Sequence, residues 1–104
     1  MICDVTDQDF DQVMERSDTP VLVEFWKPGC RSCQALMREL KQLDLDLAGK
    51  VLIVTMNTDE NFQIPGELDI RSLPALALYR QGQFERFIGG IGRKEEILKQ
   101  LFLG

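Results

Sequence analysis

Apolar residues along this chain fall into short continuous runs separated by longer segments with a helical repeat. The runs 21–26 (VLVEFW) and 51–56 (VLIVTM) are short and rich in aliphatic side chains, as expected for strands buried within a sheet. Between them, apolar residues recur every three to four positions from 33 to 47, which predicts an amphipathic helix that Gly49 ends. Because a helix joins the two strands, we expect them to be parallel, with a right-handed crossover.

The flanking segments add a first helix, a hairpin and a last helix. Apolar positions at helical spacing predict a helix over about 7–16. Residues 75–79 and 83–88 are predicted strands, and the tight turn at Gln81-Gly82 between them indicates an antiparallel hairpin. The apolar face of residues 93–103 predicts a last helix.

The segment between the second strand and the hairpin is less regular. Turn-forming residues, among them Pro65-Gly66, predict a loop over 58–70 that ends in a short helical stretch at 67–70. Two parallel strands and an antiparallel hairpin make a mixed sheet, and the helices can cover both of its faces. We therefore predict an α/β fold in a single domain over residues 1–104.

Composition and charge exclude several classes of partner. The chain carries 17 acidic residues against 12 basic ones, a net charge of −5, whereas nucleic acids and anionic membranes are bound by basic surfaces. No apolar run approaches the ~20 residues of a membrane-spanning helix, and the acidic N-terminus lacks the pattern of a secretory signal. With 3 cysteines, too few for a disulfide scaffold, the sequence predicts a reducing compartment, the cytoplasm.

The candidate chemistry is concentrated in two closely spaced cysteines, Cys30 and Cys33. A zinc site needs four ligands, and the chain has no histidine and only Cys3 as a further cysteine, so we expect no metal. A structural disulfide across so short a loop would stabilise the fold little. Redox cycling fits better, because the pair follows a strand and opens a helix, whose free N–H groups favour a thiolate at Cys30. Arg31 either strengthens this effect or is a solvated surface residue.

Several segments, in the same order and at the same distances, resemble the thioredoxin family. VLVEFWKPGCRSC at 21–33 is similar to the family's strand, tryptophan and CxxC segment, and TMNTDEN at 55–61 resembles the segment that follows its third strand. IRSLPALALYRQGQ at 70–83 resembles the family's cis-proline loop, strand and turn, and Gly90 falls where the family has a glycine beside the active site. The likeness covers nearly the whole chain and implies the thioredoxin fold, a central mixed sheet with helices on both faces.

The resemblance also implies a role for each matching residue. Cys30 would be the nucleophile and Cys33 the resolving thiol. Glu24 stands where the family has a buried acid that exchanges a proton with the resolving thiol, although it could instead face solvent at a strand edge. Pro74 would follow a cis peptide bond and bring the backbone of Leu73 beside the nucleophile. The resemblance implies substrate binding at Leu73, Pro74 and Gly90. Around the cysteines we also expect substrate contacts from Gly29, Arg31 and Ser32, and from Trp26, which could instead be a core residue.

Four positions depart from the family's pattern. Gly29 replaces a tryptophan before the first cysteine, and Arg31-Ser32 replace Gly-Pro between the cysteines, so the reduction potential and the partner contacts are expected to differ. Thr55 replaces a lysine that often accompanies the buried acid, which should leave Glu24 without an ammonium partner and easier to keep protonated. Cys3 matches nothing in the active-site pattern and is predicted to be a buried strand residue.

The resemblance implies a thiol–disulfide oxidoreductase that acts on protein disulfides through a mixed disulfide. We expect a monomer without a cofactor, re-reduced by a thioredoxin-reductase-type electron donor. One alternative is an adaptor module whose cysteines do not cycle. Another is a dimer that holds a metal or an iron–sulfur cluster through Cys30 of each subunit. Whether the exchange runs as reduction or as oxidation and isomerisation depends on a potential that the sequence leaves open.

Overall fold

A five-stranded mixed sheet and four helices make up residues 2–101, the part of the chain that the computed structural model describes. In chain order these elements are β1 (Cys3–Asp4), α1 (Phe10–Arg16), β2 (Val21–Trp26), α2 (Arg31–Leu47), β3 (Leu52–Asn57), α3 (Gln63–Glu67), β4 (Ala75–Arg80), β5 (Gln83–Phe87) and α4 (Lys94–Leu101). The strand order is β1-β3-β2-β4-β5, with β1, β3 and β2 parallel and the β2–β4 and β4–β5 pairs antiparallel. The predicted α/β fold with a mixed sheet is confirmed.

Helices cover both faces of this sheet. The leucines of α2 and the buried residues of α4 pack on one face around Leu22, whereas α1 and α3 pack on the other face around Val23 and Phe25. Side chains alternate between the two faces along a strand. Glu24 therefore lies on the same face as Leu22, the face that α2 covers.

The central position of β2 decides where its acidic residue lies. Glu24 pairs with Thr55 of β3 on one side and with Leu76 of β4 on the other, and it is 1% exposed. A strand that is paired on both sides has no solvent edge. The alternative that Glu24 faces solvent at a strand edge is therefore wrong, and the acid lies buried beneath α2.

The amphipathic helix predicted after the cysteine pair is α2. Its buried residues keep the spacing of three to four positions, and they are Cys33, Leu36, Leu40, Leu43 and Leu47. Cys30 caps the N-terminus of the helix. The helix stops where Ala48 and Gly49 adopt left-handed φ angles of 47° and 87°, a conformation common just beyond a helix C-terminus.

The predicted hairpin and last helix are also present. Gln81 and Gly82 join β4 to β5 with φ angles of 52° and 77°, and two left-handed residues in a row are typical of a type I′ hairpin turn. The last helix, α4, runs from Lys94 within the predicted range, and residues 102 and 103 of that prediction lie outside the described residues.

The prediction for residues 58–70 is wrong in its details. The short helix is Gln63–Glu67, which begins earlier than predicted. Pro65-Gly66 lie inside this helix, whereas the prediction placed them in the loop before it. Proline is tolerated there because the N–H groups of a first helical turn have no partner within the helix. Asp7 supplies the partner: its carboxylate accepts three backbone N–H groups at the start of α3 at 2.8–2.9 Å.

The first helix starts at Phe10, later than predicted, because residues 7–9 form a turn. The backbone N–H of Thr6 donates to the Asp9 carboxylate at 2.7 Å, and the N–H of Asp9 donates to the Thr6 hydroxyl at 3.3 Å. This reciprocal pair holds the turn from which Asp7 reaches α3.

Cys3 lies in a strand, as predicted, but its predicted burial is wrong because the residue is exposed. Strand β1 is only two residues long and pairs with β3 at the edge of the sheet. Both of its residues are exposed, so the Cys3 side chain is not buried in the core.

The link between Asp7 and α3 predicts a measurable contribution to stability. Asp7→Ala should lower the free energy of unfolding by about 1–2 kcal/mol, because it removes the acceptor of three helix N–H groups. Burial raises the pKa of Asp7, but its backbone hydrogen bonds outweigh this effect and lower the pKa below the usual value. The loss should therefore be present at neutral pH and should shrink as the pH falls through that lowered pKa.

Urea unfolding of the wild type and the variant at neutral and acidic pH measures both effects. Asp18→Ala is the control, because Asp18 is exposed and makes no hydrogen bond to any other residue of the range 2–101; it should change stability by less than about 0.5 kcal/mol. Equal losses in the two variants would contradict the proposed role of Asp7.

Candidate active site

The N-terminus of α2 holds two cysteines in a disulfide. Cys30 is the N-cap residue, Cys33 lies in the first turn, and their Cα atoms are 5.2 Å apart. The backbone N–H of Cys33 donates to Cys30 Sγ at 3.1 Å, and the Ser32 hydroxyl lies 3.5 Å from the same sulfur. After reduction, these contacts and the helix dipole favour a thiolate at Cys30, the form in which a cysteine attacks a disulfide.

The two sulfur-bearing residues differ in accessibility. Cys30 is half-buried at the surface, whereas Cys33 is 2% exposed. A disulfide of another protein can therefore approach Cys30 but not Cys33. The neighbour that Cys33 can attack is Cys30, to which it is already joined in the structure.

Cys30 opens into a groove of about 750 Å³, which we call the front groove. Arg31 and Ser32 from the start of α2 line this groove, and Leu73 from the loop before β4 lines it as well. The Leu73–Pro74 peptide bond is cis, as predicted. The groove thus brings together the attacking cysteine and a loop that is distant in the sequence.

Glu24 and Cys33 line a second cavity of about 390 Å³ behind the disulfide, which we call the rear cavity. Trp26 and Thr55 also line it. Glu24 Oε2 has no hydrogen-bond partner within the described residues, and burial raises the pKa of Glu24 to about 8. The carboxyl group is therefore mostly protonated at neutral pH and shares a cavity with the inner cysteine.

The residue opposite Glu24 on β3 does not supply a charge. Thr55 Oγ1 donates a hydrogen bond to Asp4 of β1, which also accepts one from Trp26 Nε1 at 3.4 Å. The Thr55 hydroxyl is thus engaged with the edge strand. Burial alone accounts for the raised pKa of Glu24, as expected where threonine replaces lysine.

Comparison with known proteins identifies the family. The family model for thioredoxin matches residues 1–102. This chain belongs to the thioredoxin family. A thioredoxin of Rickettsia bellii is 35% identical over 99 residues, which cover 95% of this chain and 94% of that protein. A thioredoxin of Haemophilus influenzae is 42% identical and thioredoxin 1 of Nostoc sp. is 40% identical, each over 79 residues that cover 76% of this chain and 74% of the relative.

As a thioredoxin-family member with a disulfide at Cys30 and Cys33, the chain is a thiol–disulfide oxidoreductase. Within residues 2–101, no three histidine, cysteine or acidic side chains are grouped so that they could hold a metal ion. None of the helices described is both long enough and apolar enough to cross a membrane. The alternatives of an adaptor with idle cysteines and of a cluster-holding dimer are not favoured.

The departure from the thioredoxin pattern at Gly29 has a backbone cause. Gly29 has a φ of 81°, in the left-handed region, and a Cβ added there would meet open space. A tryptophan would therefore be strained by its backbone conformation rather than by contacts. The missing aromatic side chain thus coincides with a backbone conformation that glycine adopts readily and tryptophan does not.

The remaining substrate-binding residues predicted from the thioredoxin family do not all meet in one groove. Pro74 lines a separate groove together with Gly89 and Ile91. Gly90 is exposed, with a φ of 60°, and lines neither the front groove nor the rear cavity. A substrate role for Gly90 therefore stays a prediction.

Most of the charged residues around the disulfide could not be identified from the sequence. Lys27, Arg38 and Lys41 line the rear cavity, and Lys27 also lines the front groove, where Arg71 joins it. Only Arg31 stood out in the sequence, because it lies between the cysteines. The helical spacing of these α2 residues indicates a shared face, but only the fold shows that this face borders the disulfide.

Burial of Glu24 predicts an unusual dependence of stability on pH. The carboxyl group keeps its proton in the folded state up to a pKa of about 8 but ionises near 4.5 in the unfolded chain, so unfolding releases a proton between these values. The free energy of unfolding of the oxidised protein should therefore fall as the pH rises from about 5 to about 8, by up to about 1.4 kcal/mol per pH unit.

Urea unfolding at several pH values across this range measures the slope. Glu24→Gln cannot ionise and should remove this part of the slope, whereas Glu95→Gln, which changes an exposed acid of α4, should keep the wild-type slope. Parallel curves for the wild type and Glu24→Gln would show that Glu24 is not held protonated in the fold.

Proposed function

We propose that this thiol–disulfide oxidoreductase works as a reductase of protein disulfides. The observation that carries the proposal is the unequal exposure of its two cysteines. Cys30 faces the front groove, where a partner can reach it, whereas Cys33 is 2% exposed and shares the rear cavity with Glu24. A pair arranged in this way can bind one partner sulfur at a time and release it by internal attack.

The reaction consists of two exchanges. The Cys30 thiolate attacks one sulfur of the substrate disulfide, so that a bond from Cys30 to the substrate forms, the substrate S–S bond breaks, and one substrate thiolate leaves and takes up a proton. Cys33 then attacks Cys30 Sγ, which forms the internal disulfide and releases the second substrate thiolate. Two electrons have passed from the dithiol to the substrate.

The ionised form of Glu24, a minority at neutral pH because its pKa is about 8, is proposed to take the proton of Cys33 before the second exchange. Both residues line the rear cavity, and the Glu24 carboxyl has no hydrogen bond to any described residue that would have to break first. Its pKa of about 8 lies close to neutral pH, where a group exchanges protons most effectively. A solvent-exposed acid with an ordinary pKa would be a weaker base for a buried thiol.

The front groove is proposed to bind the substrate segment. Arg31, Ser32 and Leu73 line it beside Cys30. A substrate strand that pairs with the backbone at Leu73, before the cis peptide bond of Pro74, would present its disulfide to the attacking sulfur. The proposed contact surface further includes Trp26, Gly29 and Gly90.

The proposed partners are disulfide-containing proteins and a thioredoxin-reductase-type electron donor that restores the dithiol. Thiol exchange uses the sulfurs of the chain itself, so the proposed cycle requires no bound cofactor. We place the protein in the cytoplasm as a monomer.

Insulin reduction tests the proposed function. With dithiothreitol as electron source, the wild type should accelerate reduction of the insulin disulfides, and Cys30→Ser should abolish this activity because no attacking thiolate remains. Pre-reduced Cys33→Ser, mixed with insulin after dithiothreitol has been removed, should still attack but fail to resolve, so a mixed disulfide between Cys30 and the substrate should accumulate and be visible by mass spectrometry.

Cys3→Ser is the matched control and should keep wild-type activity, since Cys3 lies exposed on the edge strand β1. A folded wild type that does not reduce insulin would overturn the proposal. A mixed disulfide formed at Cys33 of the Cys30→Ser variant, with none at Cys30 of the Cys33→Ser variant, would overturn the assigned order of attack.

A further inference from the structure

A row of cationic side chains borders the disulfide on the side of α2. Arg38 lies seven positions after Arg31 along the helix, and Lys41 lies three positions after Arg38. This spacing places the three side chains on one face of α2. Arg31 lines the front groove, Arg38 and Lys41 line the rear cavity, and Lys27, from the loop after β2, lines both. All four side chains are exposed, and we call them the cationic rim.

The rim residues are unpaired in a chain that has an excess of acids. None of their side chains forms an ion pair or hydrogen bond with another residue in the range 2–101. Most cations elsewhere do have acidic partners, and the paired ones are Arg71, Arg80, Arg86, Lys94 and Lys99. Two carboxylates of α2 itself, Glu39 and Asp46, bond to Lys94 instead of the rim.

The acids near the disulfide do not cancel this charge. Glu24 and Asp59 are the acidic residues that line the front groove or the rear cavity, and Asp4 bonds to Trp26 and Thr55 at the edge of the rear cavity. Glu24 is mostly protonated at neutral pH, so two carboxylates remain beside the four cations of the rim. The interaction between two exposed charges is largely screened when they lie farther apart than the Debye length, which is about 8–10 Å in physiological salt. A partner docked at the disulfide therefore senses the rim more strongly than the acids on the far side of the molecule.

We propose that the cationic rim selects protein substrates whose disulfide is flanked by aspartate and glutamate residues. This inference rests on the proposed function, since it assumes that a protein disulfide docks at Cys30. Complementary charge acts mainly by raising the rate of association, and it fixes the orientation in which a substrate lies along α2. The rim would thus set substrate preference without taking part in the exchange itself.

The net charge of the chain predicts the opposite preference. At −5, the molecule as a whole repels acidic substrates and attracts basic ones. A preference for acidic flanks can therefore arise only from the local arrangement of charge around the disulfide. This opposition makes the proposal testable with a single comparison of substrates.

The test uses three peptides of equal length, each with one internal disulfide, whose flanking residues are acidic, neutral or basic. The rate constant for reduction by the dithiol form is measured at physiological ionic strength, where the acids on the far side of the molecule are screened, and at high ionic strength. At physiological ionic strength the acidic peptide should react severalfold faster than the neutral one, because the rim lies within a Debye length of the docked disulfide. High salt should bring this ratio close to one.

Two double variants test whether the rim residues cause the preference for acidic peptides. Arg38→Gln/Lys41→Gln removes half of the rim, and Arg16→Gln/Lys50→Gln removes two exposed cations that line neither the front groove nor the rear cavity. Both variants change the net charge equally. The ratio of acidic to neutral rates should fall toward one in the rim variant and keep its wild-type value in the control.

Three outcomes would overturn the proposal: a wild-type ratio of one or below, a ratio unchanged in the rim variant, or equal losses in both variants. The neutral peptide separates this proposal from the proposed function. If the wild type reduces the neutral peptide but shows no preference for acidic flanks, only the role of the rim fails. If it reduces none of the peptides, the proposed function fails as well.

Discussion

The packing of the first turn of α2 over the central strand β2 is the contact on which the candidate site depends. Because β2 is paired on both sides, Glu24 has no route to solvent within the sheet, and α2 covers the face on which it lies. The same helix start leaves Cys30 at the N-cap and turns Cys33 inward, toward the cavity that contains Glu24. One short connection between a strand and a helix therefore provides an accessible sulfur, a buried sulfur and a buried acid.

Most of the sheet and its helices could be predicted from the sequence because their determinants are local. Apolar runs, helical spacing and a turn of two residues suffice for the parallel strands, for α2 and for the hairpin. The predictions are wrong where the local structure depends on residues that are distant in the sequence. The start of α3 depends on Asp7, more than fifty residues earlier in the chain, and the exposure of Cys3 depends on its place at the sheet edge.

The chemistry of the site could be predicted better than its surroundings. The spacing of Cys30 and Cys33, together with the family resemblance, indicated the redox pair and the buried acid beneath it. The electrostatics could not be predicted, because Lys27 and Lys41 look like ordinary solvated residues until the fold places them around the disulfide. The protein therefore combines a familiar reactive pair with a local charge opposite in sign to its net charge.

Equilibration with buffers of reduced and oxidised glutathione tests the central claim, that Cys30 and Cys33 form one two-electron couple that reduces other disulfides. Alkylation and mass spectrometry give the dithiol and disulfide fractions at each ratio. The transition should be that of a two-electron couple, about 30 mV per tenfold change, with a midpoint more reducing than the glutathione couple. A stable mixed disulfide of Cys30 with glutathione beside a free Cys33, or a midpoint near the roughly −120 mV of a strong oxidant, would contradict the claim.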